Sequence, residues 1–280
     1  MLVIHTIAET REFLSKIRRE GKSIGFVPTM GALHAGHLKL VQKCSEENDC
    51  VVVSIFVNPT QFNNPEDLKK YPRNLEADVE KLTSVSCDLI FAPSVEEMYP
   101  QPDQTRFDFG ILDKVMEGQF RPGHFNGVGI VVRKLFEIVE PHRSYFGEKD
   151  FQQLAIIRNL VRLLQLPVEI VACPTVREPD GLAMSSRNER LNPDERAIAP
   201  SIYQALLKAR DNYSWFTPDG ISKMVTGEIE QTLGFDVEYA SVVDTETLMP
   251  LSEWEDSDHA ILCVAVFLGE VRLIDNMNLY

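Results

Sequence analysis

The sequence predicts an α/β protein, with a Rossmann-like, doubly wound parallel sheet and a second, smaller α+β domain at the C-terminal end. Short runs rich in Val and Ile alternate with stretches of helical periodicity through the first two-thirds of the chain. These runs rarely alternate with polar residues, as is typical of strands buried on both faces of a parallel sheet. The composition changes after Pro174, where a polar segment begins. We therefore predict one domain over residues 1–176 and a smaller one over 177–280.

The elements of the first domain follow from local signals. A helix is expected over 6–20, because Thr6 and Glu9 form a capping-box pattern and Gly21 is a typical stop. Apolar runs predict strands over 24–27, 51–57, 89–92, 144–146 and 168–172. Periodicity predicts helices over 36–47, 75–85, 128–139 and 151–164.

The last third of the chain has a different pattern. Helices are expected over 193–210 and 218–233, followed by strands over 237–243, 260–267 and 271–274. The segment before them, 175–188, is polar and typical of a loop, with the linker between domains near 174–181. This order of elements indicates a small α+β domain.

Charge is distributed unevenly along the 280 residues, whose net charge is −14. Residues 192–280 carry 16 acidic and 5 basic side chains, a balance of −11, whereas the rest carry 26 and 23, a balance of −3. A site for an anionic ligand is therefore expected in the first two-thirds. The acidic last third disfavours nucleic acid as a partner.

Composition also indicates the compartment. No stretch approaches the ~18 uninterrupted apolar residues of a membrane span, so no membrane partner is expected. Residues 1–5 lack the basic start and long apolar core of a signal peptide. The five cysteines are odd in number and form no Cys-x-x-Cys pair, which argues against a disulfide framework or a zinc ribbon. We therefore expect a cytoplasmic protein.

The segment Pro-Thr-Met-Gly-Ala-Leu-His-Ala-Gly-His, residues 28–37, is the most informative motif. It places His34 and His37 at the start of a helix that follows a buried strand. Backbone N–H groups, the helix dipole and two ring donors at such a position suit a polyphosphate. Zinc binding of the protease type needs histidines four apart with a glutamate between them, and here they are three apart without one.

Polar segments follow two further predicted strands. Asn-Pro-Thr-Gln-Phe-Asn occupies 58–63, and Gly-Glu-Lys-Asp occupies 147–150. Carboxyl ends of parallel strands share one edge of a sheet, where ligands of doubly wound folds bind. The chain contains neither Gly-x-Gly-x-x-Gly nor a Walker motif, so dinucleotide and P-loop sites are not supported.

Together these segments resemble the pantothenate synthetases, the ATP-dependent pantoate–β-alanine ligases of the nucleotidylyltransferase superfamily. The resemblance covers nearly all of the first two-thirds, whereas the last third matches only in general pattern. It rests on five blocks in order, at 28–37, 56–62, 121–128, 146–153 and 174–188.

The resemblance implies a two-step reaction. The carboxylate of pantoate attacks the α-phosphorus of ATP, giving pantoyl adenylate and pyrophosphate. The amine of β-alanine then attacks the activated carbonyl, giving pantothenate and AMP. The family further implies Mg²⁺ accompanying the triphosphate and a homodimer.

The resemblance also implies site residues. His37 is implied as the group nearest to a proton-donor role, although charge stabilisation alone also explains it, and Asp150 is implied at the ribose hydroxyls. The loop 185–187 resembles the mobile phosphate-binding loop of related adenylate-forming enzymes. The implied catalytic residues are His34, His37, Lys149, Ser185, Ser186 and Arg187. The implied nucleotide-binding residues are Met30, Gly31, Ala32, Leu33, His34, Ala35, Gly36, His37, Gly147, Glu148, Lys149, Asp150, Val176, Met184, Ser185, Ser186 and Arg187.

Several assignments have an alternative. Gln61 and Gln153 match the pantoate-binding glutamines of the family, whereas a glutamine in a loop or first helical turn is otherwise usually solvated. Arg121 and His124 line the same cleft or belong to a structural loop. Asp78 approaches magnesium or is an exposed helix acid, and no metal ligand is assigned.

Two other functions fit part of the pattern. One is a nucleotidyltransferase of the same superfamily, which leaves the nucleotide on its product. The other is a non-catalytic nucleotide-binding module. The glutamine pair and the Gly-Glu-Lys-Asp block argue against the first, and the set of His, Lys, Ser and Arg phosphate ligands argues against the second.

Overall fold

The structure, a computed structural model, describes all 280 residues. The strands are β1 Leu2–Ile4, β2 Ile24–Thr29, β3 Cys50–Ile55, β4 Leu89–Phe91, β5 Arg143–Gly147, β6 Glu169–Cys173, β7 Phe235–Asp244, β8 Ala260–Leu268 and β9 Val271–Asn278. The helices are α1 Ile7–Arg19, α2 Ala35–Glu47, α3 Pro65–Lys70, α4 Leu75–Thr83, α5 Val95–Met98, α6 Glu117–Phe120, α7 His124–Val139, α8 Phe151–Leu164, α9 Pro193–Ile198, α10 Ser201–Asn212 and α11 Pro218–Glu230.

The predicted fold class is confirmed. One sheet has six parallel strands in the order β1-β4-β3-β2-β5-β6, and a separate sheet has three antiparallel strands in the order β7-β8-β9. The chain groups into two compact units. The first contains Met1–Phe109, Phe120–Glu148 and Gln153–Pro174, and the second contains Gly110–Gln119, Lys149–Gln152 and Thr175–Tyr280.

Strand β2 lies at the centre of the first unit, and both of its faces are covered. Phe26 meets Phe136 of α7 edge to face, with ring centroids 6.3 Å apart. Gly25 points to the opposite face, toward Cys44 of α2 and Asn48 just after that helix, which approach so closely that no side chain fits there. This double coverage explains the continuous apolar pattern of the strand, and it fixes α2 against the sheet.

The second unit is built around the antiparallel sheet. Helices α10 and α11 supply Ile202, Leu206, Ile221 and Val225 to a core that includes one whole face of β8. Each such aliphatic side chain contributes roughly 1.5–3 kcal/mol when fully buried. The apolar residues of these elements therefore account for the fold of this unit.

A buried charge cluster joins the segment 110–119 to this sheet. Arg272 of β9 donates to Glu117, with 2.9 Å between Nη1 and Oε2, and to Glu238, with 3.0 Å between Nε and Oε2. The Tyr239 hydroxyl donates to Glu117 Oε1 at 2.9 Å. A buried carboxylate requires such partners, because burial without them opposes the charged form.

The structure differs from the sequence expectations in a few elements. The edge strand β1 has only three residues and was not expected, because so short a run has no readable period. The helix expected over 193–210 is interrupted at Pro200, which lacks an N–H and cannot continue a helix. Helix α7 begins at His124, four residues before the expected start.

None of the helices has the combined length and apolar content that a bilayer crossing requires.

We expect Gly25→Ala to lower the free energy of unfolding by about 1–3 kcal/mol, the usual range for overpacking a core. A Cβ at this position would lie 2.3 Å from Cys44 Sγ and 2.6 Å from Asn48 Nδ2. Chemical denaturation measures the change. Gly227→Ala in α11 is the matched control, because no atom lies within 4 Å of its added Cβ. That variant should gain about 0.5–1 kcal/mol from helix propensity. Equal effects of the two substitutions would contradict the close packing of β2 on α2.

Candidate active site

The crevice at the carboxyl edge of the six-stranded sheet is the expected ligand position in this topology. Strand β2 lies between β3 and β5, and the strand order reverses between β2 and β5. Doubly wound folds bind ligands at such a reversal. The segments after β2, β3 and β5 all leave this edge because the three strands are parallel. The three segments therefore begin at the same edge of the sheet, as predicted.

The turn from β2 to α2 has an unusual backbone. Gly31 and Ala32 have φ angles of 79° and 49°. The left-handed conformation suits glycine but costs an alanine roughly 1–2 kcal/mol. The Thr29 hydroxyl accepts from the Gly31 N–H at 3.1 Å and donates to the Ser54 carbonyl at 2.7 Å. The turn is therefore held tightly to the end of the sheet.

His34 and His37 cap the N-terminus of α2 with their own rings. Nδ1 of His34 accepts from the Gly36 N–H at 3.2 Å, and Nδ1 of His37 accepts from the His34 N–H at 3.3 Å. In a neutral imidazole whose Nδ1 accepts, the proton is on Nε2. These hydrogen bonds therefore assign an Nε2–H donor to each ring, and the ring centroids lie 4.1 Å apart.

The electrostatics of this helix start favour an anion. The first turn of α2 carries no acidic residue, and the positive end of the helix dipole lies at the same point. Two adjacent Nε2–H donors at a helix N-terminus can stabilise negative charge as it develops on phosphate oxygens. Gly36 adds no side chain that would keep a ligand away from the backbone.

Asp78 of α4 is buried, so its interpretation as an exposed helix acid is wrong. Its Oδ2 accepts from the Ala32 N–H at 2.9 Å and its Oδ1 accepts from the Leu33 N–H at 2.7 Å. The N–H groups of these two predicted nucleotide-binding residues thus point to Asp78. Lys81, one turn further along α4, donates to the Leu33 carbonyl at 2.6 Å.

Gln61 belongs to a buried network of neutral groups. Its Nε2 donates to Sδ of Met30 at 3.0 Å, and its Oε1 accepts from Asn58 Nδ2 at 3.1 Å. The Tyr99 hydroxyl donates to Asn58 Oδ1 at 2.9 Å, and burial raises the pKa of Tyr99 to about 12. Gln61 is only 8% exposed. The network therefore holds the amide plane of Gln61 among uncharged partners.

A cavity of about 560 Å³ opens beside Gln61 in the first unit. His124 lines it, and its Nδ1–H donates to the Gln61 carbonyl at 2.8 Å. The other lining residues include Thr60, Asp103, Thr105, Arg106 and Asn126. Arg121 is not among the lining residues; its carbonyl accepts from the His124 N–H at 3.1 Å.

The paired glutamines at the start of α8 have different environments. Gln152 is buried, and its Nε2 donates to the carbonyls of Leu112 and Val115 at 2.8 Å each. Gln153, the predicted pantoate ligand, is half-buried. Gln152 therefore has a structural position within its unit, whereas the side chain of Gln153 remains accessible.

Lys149 is attached to the last strand of the second unit through its backbone. Its carbonyl accepts from Asn276 Nδ2 at 2.9 Å, and its Nζ lies 3.8 Å from Oδ2 of the exposed Asp150. The lysine side chain is 16% exposed. Gly147 ends β5, where a Cβ would meet open space, and the half-buried Glu148 begins the 3₁₀ turn that contains Lys149.

The predicted polar loop 175–188 is an ordered hairpin. The Met184 N–H donates to the Val176 carbonyl at 3.0 Å, and Arg177 pairs with Ala183 in an antiparallel bridge. The Ser185 hydroxyl accepts from the Arg187 N–H at 3.2 Å and caps the short 3₁₀ helix Ser186–Arg190.

The hairpin is anchored by a buried ion pair. The Arg177 guanidinium donates to both oxygens of Asp275, at 2.6 and 3.0 Å, and stacks on Tyr203, 4.0 Å from the ring centroid. Lys149, Ser185 and Asp275 line one small cavity of the second unit. The structure thus brings two of the predicted catalytic residues together.

Sequence reasoning missed the residues that support these side chains. Asn58 begins the polar segment 58–63, and its spacing to Gln61 places both amides in one turn, which is the signal that could have identified it. Arg177 and Asp275 are 98 positions apart, so no local pattern connects them. An acidic residue within an apolar strand-like run is the only signal for Asp275.

No group of three or more His, Cys, Asp or Glu side chains is arranged to hold a metal ion. The imidazoles of His34 and His37 use Nδ1 as acceptors of backbone N–H groups. The chain therefore offers no metal cage of its own at this edge.

Comparisons with known proteins agree along the whole chain. The family model of pantoate-beta-alanine ligase matches residues 2–278. The pantothenate synthetase of Bacteroides thetaiotaomicron is 56% identical over 278 residues, which cover 99% of each chain. That of Porphyromonas gingivalis strain W83 is 53% identical over 278 residues, again 99% of each.

Solved structures give the same result. A crystal structure of pantothenate synthetase from Thermus thermophilus has a TM-score of 0.93 and 46% identity, with 100% of both chains covered. The pantoate-beta-alanine ligase from Francisella tularensis, complexed with beta-gamma ATP and beta-alanine, has a TM-score of 0.85 and 37% identity, covering 100% of this chain and 98% of the other. By sequence and by fold, this chain belongs to the pantoate–β-alanine ligase family.

Proposed function

We propose that this chain joins pantoate to β-alanine at the expense of ATP, releasing AMP and pyrophosphate through a pantoyl adenylate. The observation that carries the proposal is the pair of imidazoles at the start of α2, each with an Nε2–H donor. The family of the chain supplies the two substrates to be joined. The Francisella relative, complexed with beta-gamma ATP and beta-alanine, supports ATP as the third.

In the first step, a carboxylate oxygen of pantoate forms a bond to the α-phosphorus of ATP, and the bond to the bridging oxygen of pyrophosphate breaks. Negative charge grows on the departing group. We assign His34 and His37 to donate to phosphate oxygens and Lys149 to supply a compact positive charge. Ser185, Ser186 and Arg187 add hydroxyl and guanidinium donors.

In the second step, the uncharged amine of β-alanine attacks the carbonyl carbon of the adenylate. The bond from this carbon to the AMP oxygen breaks, and the amine loses one proton to solvent. Activation as an adenylate is needed because a free carboxylate is a poor electrophile. AMP leaves as a stabilised anion, and no pyrophosphate departs in this step.

The remaining nucleotide contacts follow the family pattern. We assign backbone contacts to Met30, Gly31, Ala32, Leu33, Ala35, Gly36, Gly147, Glu148, Val176 and Met184, and the ribose hydroxyls to Asp150. The N–H groups of Ala32 and Leu33 already donate to Asp78. Contacts by these two residues would therefore use other atoms.

Pantoate recognition is assigned to Gln61 and Gln153. Pantoate carries two hydroxyls and one carboxylate, and an uncharged amide can donate and accept without competing for the carboxylate. The buried amide of Gln61 is held in place by Asn58. A fixed amide loses less conformational entropy on binding than a mobile one.

Magnesium enters the proposal only as the partner of ATP. The chain arranges no cluster of ligands for it, and Mg²⁺ in nucleotide sites is commonly held by phosphate oxygens and water. Its charge would partly neutralise the triphosphate. No residue of this chain is assigned to hold it.

Assembly, compartment and domain roles complete the proposal. We assign nucleotide and pantoate binding to residues 1–176 and a smaller α+β domain to 177–280.

Resemblance to the family supports a homodimer, which light scattering tests. A cytoplasmic location is supported by five cysteines that are all free thiols, as expected in a reducing compartment.

The function is tested by following AMP, pyrophosphate and nucleotide-labelled products from radiolabelled ATP. With pantoate alone, pyrophosphate release and bound adenylate are expected, and β-alanine should then yield free AMP. A product that keeps the nucleotide would instead identify a nucleotidyltransferase of the same superfamily. Absence of any pantoate-dependent pyrophosphate or AMP would leave only a nucleotide-binding module.

His37→Ala should slow pantoate-dependent pyrophosphate release about a hundredfold, because one donor to the developing charge is lost. His259→Ala is the control, since that histidine is exposed and lies in the second unit. Melting temperature is measured in parallel, because the ring also caps α2. A change of less than about threefold would exclude His37 from the mechanism.

Lys149→Gln should sharply slow adenylate formation, because the substitution keeps much of the length but removes the charge. The matched control is Lys223→Gln, whose lysine is 77% exposed on α11. Single-turnover formation of pantoyl adenylate is the measurement. A near-normal rate in Lys149→Gln would show that the assigned role is wrong.

Gln61→Ala and Gln153→Ala should weaken pantoate binding by about 1–3 kcal/mol, the usual cost of an unpaired polar group. ATP affinity, measured by calorimetry, should stay within a few-fold, and Gln204→Ala on the exposed side of α10 serves as control. Loss of ATP affinity with an unchanged pantoate dependence would move these glutamines to the nucleotide site.

A further inference from the structure

The turn that presents His34 is held by a second helix rather than by its own sequence alone. Residues 30–34 connect β2 to α2, and α4 lies beside them. The left-handed conformation at Ala32 is one that alanine rarely adopts, so neighbouring contacts must hold it. The contacts from α4 come from two side chains, those of Asp78 and Lys81.

Asp78 directs both carboxylate oxygens at this turn. It accepts from the N–H groups of Ala32 and Leu33, at 2.9 and 2.7 Å, and is 2% exposed. Its Oδ2 also lies 2.8 Å from where a Cβ would stand on Gly31, so the carboxylate fills the space beside the turn. A buried carboxylate with two backbone donors is held in one orientation.

Lys81 binds the carbonyl group of Leu33, whereas Asp78 binds its N–H group. Its Nζ donates to the Leu33 carbonyl at 2.6 Å. Asp78 and Lys81 are three apart on α4 and therefore share a face of that helix. Both the N–H and the C=O of Leu33 are thus bound by side chains of α4.

These contacts reach the imidazoles through one peptide unit. The Leu33 carbonyl belongs to the peptide whose N–H is that of His34, and this N–H donates to Nδ1 of His37. The same residue, His34, accepts from the Gly36 N–H. A rotation of this peptide would therefore move both ring donors.

We propose that Asp78 and Lys81 are positioning residues for the adenylation step, which act by fixing the Leu33–His34 peptide and with it the Nε2–H donors of His34 and His37. The inference rests on the proposed function for its kinetic consequence. It assigns Asp78 to the backbone of the turn and not to a magnesium ion, because the carboxylate is only 2% exposed and each of its oxygens accepts an N–H group of the turn.

The kinetic test compares the two half-reactions. Asp78→Asn should slow pantoate-dependent pyrophosphate release about a hundredfold, and Lys81→Met about tenfold, since small misplacements of catalytic groups have effects of this size. Lys81→Arg should restore most of the rate. Aminolysis of added pantoyl adenylate by β-alanine should stay within about threefold, because no pyrophosphate departs in that step.

Glu80→Gln is the matched control, because Glu80 is exposed on the same helix. It should leave both half-reactions unchanged. Equal losses in both half-reactions of Asp78→Asn and Lys81→Met would indicate a purely structural role and overturn the proposal. Recovery of Asp78→Asn at high Mg²⁺ would overturn it in favour of a metal ligand.

A spectroscopic test separates this inference from the proposed function. Nitrogen NMR of ¹⁵N-histidine protein should show Nε2–H tautomers for His34 and His37 in the parent, with altered signals in Asp78→Asn and Lys81→Met. Unchanged signals would overturn the positioning role even if the enzyme is a ligase. Altered signals in a protein without adenylation would support the positioning contacts and reject the proposed function. If Asp78→Asn does not fold, Lys81→Met alone decides.

Discussion

The short connection between β2 and α2 is the constraint on which the rest of the site depends. Five residues, 30–34, must lead from a buried strand to a helix whose first turn carries two imidazoles. The chain achieves this with left-handed backbone at Gly31 and Ala32, whose N–H groups donate to the Thr29 hydroxyl and to the Asp78 carboxylate, respectively. The central position of β2, with both faces covered, gives this turn a rigid base.

The buried carboxylates of this acidic chain are each paired with donors close to them. A protein with a net charge of −14 must keep acidic groups from facing a phosphate site. Beside the start of α2 a buried carboxylate, that of Asp78, is matched to backbone N–H groups. In the second unit, Asp275 is matched to the guanidinium of Arg177. Neutral amides, by contrast, occupy the position beside the cavity of the first unit.

The sequence alone was sufficient to predict the parallel sheet, because strands such as the one with Val51, Val52 and Val53 do not alternate between apolar and polar residues. It also located the imidazoles at a helix start, since both lie within one short motif. Local patterns could not show that Asp78 reaches Ala32, because the contact spans 46 positions. The break at Pro200, by contrast, had a local signal in the proline itself, although the helix was expected to be continuous. Local sequence patterns could not predict which polar groups pair over long distances in the chain.

The five cysteines have a consequence beyond their place in the core. All are buried, and burial raises the pKa of each thiol, to about 12 for Cys50 and Cys87 and about 11 for Cys173. A protonated, enclosed sulfur does not react with alkylating reagents. The rate of thiol modification therefore reports how often each unit opens, with Cys263 marking the antiparallel sheet and the other four marking the unit of the parallel one. These side chains form a native set of labels for comparing the opening of the two sheets.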